Sequence, residues 1–288
     1  MNIDGIESLE PLLKEKLDEC RKSLGALGRV VVAFSGGVDS TFLLALAEKT
    51  LGKENVLAAM AVSPTYPRRE RQAARKTAAG LGVDLVEVKT QETSDPRFAA
   101  NPSDRCFYCK SELFARLKAI ADEQGFAVVT GDNADDTGDF RPGLRAGDEM
   151  NVRRPLLEAG LTKDDIRRAS SAMGLETWDK PSMACLASRI PYGSEITRER
   201  LARIEQAEDV LHDLGFRQCR VRDHGKLARI EVPVEELEKA LAASGKIVPA
   251  LKRLGYVYVT LDLQGFRSGS MNEPLDPAGQ DDGSAGGQ

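Results

Sequence analysis

A glycine-containing loop near the N-terminus is the first segment whose residue types could do chemistry. It reads Ser-Gly-Gly-Val-Asp-Ser at residues 35–40, between a β-branched run at residues 29–34 and a strong helix former at residues 41–50. Between a strand and a helix, glycines let the backbone approach a phosphate closely, and the first amides of the helix point at the anion. The loop therefore predicts a phosphate-binding site, and the alternative is a glycine turn without a ligand.

The loop differs from two common nucleotide-binding patterns. A Walker loop has a lysine before its Ser/Thr, whereas Asp39 stands there in this chain, and the three spaced glycines of a dinucleotide fingerprint are missing. The pattern is similar to the PP-loop of the N-type ATP pyrophosphatases, which cleave ATP between the α- and β-phosphates. We expect Asp39 to orient the loop or to help hold Mg²⁺ on the departing pyrophosphate. The predicted ATP-binding residues are Ser35, Gly36, Gly37, Val38, Asp39 and Ser40.

The five cysteines fall into two groups. Cys106 and Cys109 are three positions apart at the start of a predicted helix, a spacing that lets both sulfurs face one metal. Cys185 lies between a lysine and an arginine, which favours a thiolate. Cys20 and Cys219 fall at apolar positions, where we expect them to be small buried hydrophobes.

Cys106, Cys109 and Cys185 suit more than one chemistry. A structural zinc site takes four ligands, and the chain's two histidines, His212 and His224, have no Cys–His spacing. Three cysteines without a fourth protein ligand fit a [4Fe–4S] cluster with one iron left open. A redox dithiol at Cys106 and Cys109 is a second interpretation, and unrelated structural thiols are a third.

The elements that must position these residues alternate along the first half of the chain. Strands are predicted at residues 29–34, 55–62, 83–88 and 126–130, with helices at 9–24, 41–50, 68–81 and 111–124. This alternation predicts an α/β domain with a parallel sheet. Polar stretches at residues 90–104 and 131–150 should border the ligand crevice at the carboxyl ends of the strands. Asp132 or Asp136, in the second stretch, is a predicted Mg²⁺ ligand, and a solvated acidic loop is the alternative.

The pattern changes beyond residue 155. Helices are predicted at residues 162–173, 197–214 and 235–242, and strands at 218–223, 226–232 and 256–261. We predict three regions: an α/β PP-loop domain at residues 1–190, a smaller α+β substrate-binding domain at 191–272, and a disordered tail at 273–288, which is poor in apolar residues.

Composition limits the function classes. The chain has 41% hydrophobic and 30% charged residues, as soluble globular proteins do. Its net charge of -5 argues against broad contacts to a nucleic-acid backbone. No apolar run approaches the ~20 residues that cross a bilayer, and residues 1–10 lack signal-peptide features. We therefore expect a cytoplasmic protein with neither nucleic acid nor membrane as a partner.

Four separate segments resemble the LarE family, and the resemblance covers residues 9–272. The segments are residues 35–40, 104–110, 180–193 and 259–270. LarE is the ATP-dependent sulfur transferase that builds the nickel-pincer cofactor of lactate racemase. The resemblance implies a Rossmann-like fold of the adenine nucleotide alpha hydrolase type. It also implies that ATP·Mg²⁺ adenylylates the carboxylates of pyridinium-3,5-biscarboxylic acid mononucleotide, after which sulfur displaces AMP to give thiocarboxylates.

The resemblance leaves two sulfur sources open. In one branch a single cysteine, matching Cys185, attacks the acyl adenylate and loses its own sulfur. In the other, three cysteines hold a [4Fe–4S] cluster whose open iron carries a sulfide. Because Cys106 and Cys109 accompany Cys185, this chain resembles the cluster branch. We also expect a homo-oligomer and a sulfide donor.

The implied substrate carries a phosphate and needs a second anion site. Arg220 and Arg222 alternate in a predicted strand and so face one side. The predicted phosphate-binding residues are Ser188, Arg189, Arg220 and Arg222. We expect Glu208 and Glu231 to orient the arginines, and solvated arginines on a strand are the alternative.

Three other functions remain open. A tRNA thiolase would be expected to carry a basic RNA-binding appendage, which this acidic chain lacks. An ATP-dependent amide synthetase would not need the three cysteines. A nucleotide-regulated iron–sulfur carrier would bind ATP without cleaving it, so release of AMP and pyrophosphate only with substrate would exclude it.

Overall fold

The computed structural model describes residues 3–138, 142–267 and 270, and the chain divides into two compact units. The first comprises Met1–Ala184 and the second Cys185–Gln288. This division comes six residues before the predicted boundary at 190/191, so Cys185 belongs to the second unit. The predicted tail at residues 273–288 lies outside the described residues.

The first unit is built on a four-stranded sheet in which every neighbouring pair is parallel. Its strands are β1 (Val30–Ala33), β2 (Val56–Val62), β3 (Asp84–Lys89) and β4 (Ala127–Val129), in the order β3-β2-β1-β4. In the centre, Val30 of β1 stands opposite Val56 of β2 and Ala127 of β4. The predicted Rossmann-like α/β fold is confirmed.

Helices connect these strands and cover both faces of the sheet. They are α1 (Pro11–Leu27), α2 (Val38–Leu51), α3 (Arg68–Leu81), α4 (Pro96–Ala99), α5 (Arg105–Gln124), α6 (Pro142–Glu149), α7 (Pro155–Glu158) and α8 (Lys163–Ala172). Val30 and Val32 join a buried cluster with α1, α2 and α8, whereas Val31 joins a second cluster with α5 and α6. Successive side chains of a strand point to opposite faces, so β1 is buried on both.

The two polar stretches contain more regular structure than predicted. Helix α4 lies within the first, and α6 lies within the second. Helix α5 begins at Arg105, six residues before the predicted start, and Phe107 in its first turn packs against a buried cluster. Tertiary packing thus extends the helix over residues of modest helix propensity. As a result, Cys106 and Cys109 lie in the first two turns of α5.

The second unit is a small α+β unit, as predicted. Its elements are α9 (Arg198–Asp213), β5 (Arg220–His224), β6 (Leu227–Glu231), α10 (Leu237–Ala242), α11 (Ser244–Arg253) and β7 (Tyr258–Leu261). Strands β5 and β6 form an antiparallel hairpin around Gly225, whose φ is +74°, and β7 pairs parallel to β6. Helix α11 was not predicted, because Pro249 lies inside it. Burial of Ile247 and Leu251 holds it on the core.

The helices were compared with the length and apolarity that crossing a bilayer requires. None of those in the described part of the chain is both long and apolar enough to span a bilayer.

A close approach between β4 and α2 depends on a glycine. A Cβ on Gly131, just after β4, would lie 2.9 Å from the amide nitrogen of Ser40 and 3.0 Å from the carbonyl carbon of Asp39. Both atoms are backbone, so a methyl group there must move the start of α2. Gly80 in α3 has open space around its Cβ position and so offers a matched comparison.

We predict that Gly131→Ala lowers the free energy of unfolding by about 1–3 kcal/mol, because the added methyl overpacks the backbone. Gly80→Ala should leave it unchanged or raise it by roughly 0.5–1 kcal/mol, since alanine favours a helix. Urea unfolding followed by the fluorescence of Trp178, the single tryptophan, would report on the first unit. Equal unfolding midpoints for the two variants would contradict the packing argument.

Candidate functional site

The loop at residues 35–40 is closed by its own serines. Ser40 Oγ lies 3.2 Å from Ser35 N and 3.1 Å from Ser35 Oγ. Gly36 has φ +62°, and a Cβ there would come 2.7 Å from the Cβ of Ala74 in α3. The left-handed backbone and the crowding both require glycine at this position. The conformation of the loop is therefore fixed by its own serines and by the close contact with α3.

Helix α2 begins inside the loop, with Gly37 as its N-cap residue. The first amides of a helix have no partner within the helix and carry the positive end of its dipole. Residues from Val38 to Ala47 are almost all buried, so this helix end lies at the edge of an apolar core. Such a setting favours a phosphate at the loop.

Two lysines from distant parts of the chain contact the loop. Lys163, the first residue of α8, pairs through Nζ with Oδ2 of Asp39. Lys180 Nζ donates to the carbonyl oxygen of Gly36 at 2.9 Å and pairs with Glu70 at 2.7 Å. Both ammonium groups lie beside the loop, each paired with a carboxylate, whereas a Walker lysine lies within its loop. Sequence analysis missed both roles, because nothing in the local pattern connects residues 124 and 144 positions away.

Two buried oxygens at the start of α2 lack partners. Within the described residues, neither Oδ1 of Asp39 nor Oγ1 of Thr41 has a hydrogen-bond partner. Unsatisfied buried polar atoms are rare and call for an explanation such as an absent ion or ligand. Carboxylate and hydroxyl oxygens beside a phosphate loop are ligands that suit Mg²⁺. These atoms fit a nucleotide with its metal ion.

Asp132 lies at the carboxyl end of β4, as expected, but it is held by neighbours. Thr130 Oγ1 donates to its Oδ2 at 2.6 Å, and Arg154 Nε lies 3.5 Å from the same oxygen. The acidic stretch is more than a solvated loop, since Asp136 is buried and its Oδ2 accepts from Asn133 N at 2.9 Å. The Mg²⁺ role of Asp132 stays a prediction.

Asp135, in the same stretch, helps to place one of the two loop lysines. Its Oδ2 accepts a hydrogen bond from the backbone nitrogen of Lys163 at 2.8 Å. A carboxylate at the first residue of a helix is stabilised by the helix dipole. Asp135 therefore anchors α8 where the Lys163 side chain reaches the loop.

The cysteine pair lies on one side of a helix. Cys106 is exposed and Cys109 partly exposed in α5, and residues three apart on a helix are neighbours. Arg145 stacks on Phe107 at 3.9 Å, which ties α6 to the segment between the two cysteines. Within either unit, the described residues include no group of three His, Cys, Asp or Glu side chains that would hold a metal ion. The cluster therefore stays a prediction.

The other three cysteines divide as their sequence context suggests. Cys185 is partly exposed and precedes a short 3-10 helix, Leu186–Arg189, and its carbonyl oxygen accepts from Arg189 Nη1 at 3.0 Å. Cys20 and Cys219 are fully buried. Burial raises the pKa of Cys20 to about 12 and raises that of Cys219 as well. These two thiols are small hydrophobic core groups, as predicted.

The predicted phosphate-binding residues come together in the second unit. Arg189 is 1% exposed and forms two bonds to Glu208, at 2.9 and 3.1 Å. Its Nη1 also contacts Ser188 Oγ at 2.9 Å, and Arg222 Nη1 donates to the carbonyl oxygen of Ser188 at 3.0 Å. Burial and the neighbouring Arg189 lower the pKa of Arg220 to about 10. A cation held against other cations is stabilised when an anion arrives.

Two buried glutamates orient this cluster. Burial alone would raise the pKa of Glu208, but the charge and hydrogen bonds of Arg189 lower it, so Glu208 stays ionised. Glu231 accepts from Arg222 Nη2 at 2.7 Å and from Arg229 Nη2 at 3.0 Å. Within the described residues, Nε of Arg222 is buried and has no hydrogen-bond partner. The arginines are therefore fixed in place while at least one donor remains for a ligand.

Comparison with known proteins places the chain among PP-loop proteins. Residues 6–123 match the NAD synthase family. An uncharacterized protein from Synechocystis is 42% identical over 92% of this chain and 99% of its own length. An uncharacterized protein from Methanocaldococcus jannaschii is 29% identical over 83% of this chain and 91% of its own length.

A further relative covers nearly the whole chain. It is the pyridinium-3,5-bisthiocarboxylic acid mononucleotide synthase of Lactiplantibacillus plantarum, 39% identical over 89% of this chain and 93% of its own length. Similarity over so much of both chains confirms the resemblance found in the sequence. The chain belongs to the LarE family, the family of that synthase.

Proposed function

We propose that this protein is an ATP-dependent sulfur transferase. It adenylylates the carboxylates of pyridinium-3,5-biscarboxylic acid mononucleotide and converts them to thiocarboxylates, as a step in making the nickel-pincer cofactor of lactate racemase. The observation that carries the proposal is the preformed phosphate loop with its two lysines, in a chain 39% identical to the synthase over nearly its full length. Consumption of ATP is consistent with a cytoplasmic location.

The loop accounts for the adenylylation step. A substrate carboxylate oxygen attacks the α-phosphorus of ATP, the α–β bridging bond breaks, and pyrophosphate leaves. The amides at the start of α2 and the Nζ atoms of Lys163 and Lys180 would stabilise the charge on that pyrophosphate. Asp39 and Thr41 would hold Mg²⁺, which would neutralise further charge on the phosphates.

Cys185 and the arginine cluster account for the second step. A carboxylate is a poor electrophile, but the acyl adenylate has AMP as a leaving group, and a sulfur nucleophile can displace it. Ser188, Arg189, Arg220 and Arg222 would bind the substrate's phosphate. Cys185 precedes Ser188 by three residues, and its carbonyl oxygen accepts a hydrogen bond from Arg189, so the proposed sulfur site would adjoin the proposed phosphate site.

The transferred sulfur has two proposed sources, an iron–sulfur cluster and Cys185 itself. Cys106, Cys109 and Cys185 would hold a [4Fe–4S] cluster, which would supply an iron-bound sulfide that a sulfide donor replenishes. In the alternative route the Cys185 thiolate displaces AMP and forms a thioester with the substrate. Loss of the Cα proton and cleavage of the Cβ–S bond then leave a thiocarboxylate on the substrate and dehydroalanine in the chain.

The activity itself is tested by product release. With ATP, Mg²⁺, sulfide and the pyridinium mononucleotide, we expect AMP and pyrophosphate to form in equal amounts, and neither should form without the pyridinium compound. Lys163→Ala should lower kcat/KM for ATP by about 100-fold, because one preorganised charge is lost. Lys53→Ala removes an exposed lysine of the same unit and should leave kcat/KM unchanged. The products can be quantified by anion-exchange chromatography.

Three results would contradict the proposed function. ATP hydrolysis independent of substrate would do so, and so would ATP binding without turnover, as in an iron–sulfur carrier. Incorporation of ammonia would instead identify an amide synthetase of the kind that the NAD synthase match allows.

The sulfur route is tested by counting iron. Anaerobic reconstitution should give about four irons per chain, and Cys106→Ala and Cys109→Ala should each reduce that number. Cys20→Ala is the control, because Cys20 is buried in the core and should not affect iron binding. If the wild type binds no iron, transfers sulfur once, and then shows dehydroalanine at residue 185 by mass spectrometry, the cluster route is wrong.

A further inference from the structure

A cationic pocket lies in the second unit, apart from the residues assigned to the substrate. It has a volume of about 650 Å³ and is lined by Pro191, Ser194, Arg200, Arg203, His224, Gly225 and Lys226. Three of these side chains are cationic, and no lining residue among those described is acidic. A pocket of this size is in the range that accommodates a small organic molecule.

One buried carboxylate fixes the two arginines. Asp223 has a fully buried side chain. Its Oδ1 accepts from Arg200 Nε at 3.2 Å and Nη2 at 2.9 Å, and its Oδ2 accepts from Arg203 Nε at 3.0 Å. Tyr256 donates its hydroxyl to Oδ2 at 3.0 Å, and Arg203 also stacks over the Tyr256 ring at 4.5 Å. Both guanidinium groups are therefore held at defined positions on the pocket wall.

The group formed by Asp223, Arg200 and Arg203 carries more positive charge than the single carboxylate neutralises. One carboxylate neutralises one guanidinium, and here it binds two. Arg203 uses Nε and Nη2 on Asp223, and its Nη1 has no hydrogen-bond partner among the described residues. Lys226 adds a third cation from the β5–β6 turn, on an exposed side chain. A preorganised pair of guanidinium groups with an added ammonium matches a tetrahedral oxyanion.

This pocket is distinct from the predicted phosphate clamp. Arg220 and Arg222 alternate along β5 and share one face of the strand, whereas Asp223 points to the other. Glu231 and Glu208 partner the clamp arginines, and Asp223 partners Arg200 and Arg203. The second unit thus builds two separate arginine groups, each on its own buried carboxylates.

We propose that the pocket at Arg200, Arg203 and Lys226 is a second anion site, which binds the phosphate group of a small phosphomonoester. The phosphate contacts the two guanidinium groups and the ammonium, and the rest of the pocket accommodates the esterified group. This inference does not depend on the proposed sulfur transfer, because it rests on side chains that take no part in that reaction.

Crystals of the full chain soaked in sodium tungstate or in ribose 5-phosphate locate the site. Tungstate is a tetrahedral dianion with a strong anomalous signal, and ribose 5-phosphate is a simple phosphomonoester. Both should appear within hydrogen-bond distance of Arg203 and Lys226. Density for tungstate without ribose 5-phosphate would overturn the proposal, since the pocket would then exclude an ester. The absence of both would overturn it as well.

Equilibrium dialysis with labelled ribose 5-phosphate measures how many equivalents bind in solution. Comparison of variants with the wild type then distinguishes this pocket from the other anion sites. Lys226→Glu reverses a charge on an exposed side chain and should bind one equivalent fewer than the wild type. Arg203→Gln should also bind one equivalent fewer than the wild type. If Arg203→Gln fails to fold, Lys226→Glu still tests the site. Lys246→Glu makes the same charge change at an exposed lysine outside the pocket and should match the wild type.

Two outcomes of the dialysis would overturn the proposal. Equal stoichiometry in Lys226→Glu and the wild type would mean that the crystal site is filled only at soaking concentrations. An equal loss in Lys226→Glu and Lys246→Glu would mean that overall charge, not the pocket, governs binding. Neither the crystal soaks nor the dialysis measures sulfur transfer. A negative result for this anion site would therefore not contradict the proposed function.

Discussion

The close approach of backbone at the start of α2 is the constraint on which the first unit depends. Gly36 lies against Ala74 of α3, and Gly131 after β4 lies against the backbone of Asp39 and Ser40. The N-terminus of α2 is therefore held between neighbouring elements at the edge of the parallel sheet. These contacts fix the first amides of α2 next to the buried oxygens of Asp39 and Thr41, which lack hydrogen-bond partners among the described residues.

The second unit depends on a different interaction, the pairing of buried carboxylates with arginines, which occurs three times among its described residues. Glu208, Glu231 and Asp223 are buried carboxylates, and each is bonded to one or two arginines. Removing one partner of such a pair would leave an uncompensated buried charge, which is strongly destabilising. The carboxylates therefore fix the arginines, and the arginines outnumber them. This local excess of arginine over buried carboxylate is the feature on which both proposed phosphate sites depend.

Much of the fold followed from the sequence because its signals are local. The β-branched run before the glycine loop predicted β1, and Thr162 with Asp165 predicted the start of α8, where both bonds of a capping box are present. Helix α11 and the early start of α5 could not be predicted, because packing of Ile247, Leu251 and Phe107 overrides Pro249 and weak propensity.

The same distinction applies to the sites. The loop at residues 35–40 and the arginines on β5 have short-range patterns, whereas Lys163 and Lys180 reach the loop only through the fold. The pocket at Arg200 and Arg203 was missed as well, although its arginines are three residues apart on α9. Their common partner, Asp223, comes from the next strand, so only the tertiary structure shows why two like charges stand together.

The position of Asp39 explains why the loop takes its cations from elsewhere. A lysine within the loop would hold the terminal phosphates through every step, as suits transfer of the γ-phosphoryl group. Cleavage between the α- and β-phosphates instead requires the pyrophosphate to depart while the nucleotide remains. Lys163 is the first residue of α8, Lys180 lies in the segment after that helix, and Lys163 pairs with Asp39. In the proposed reaction the Lys163 ammonium would pair with pyrophosphate and, after its release, with Asp39 again, so that no cation is left unpaired.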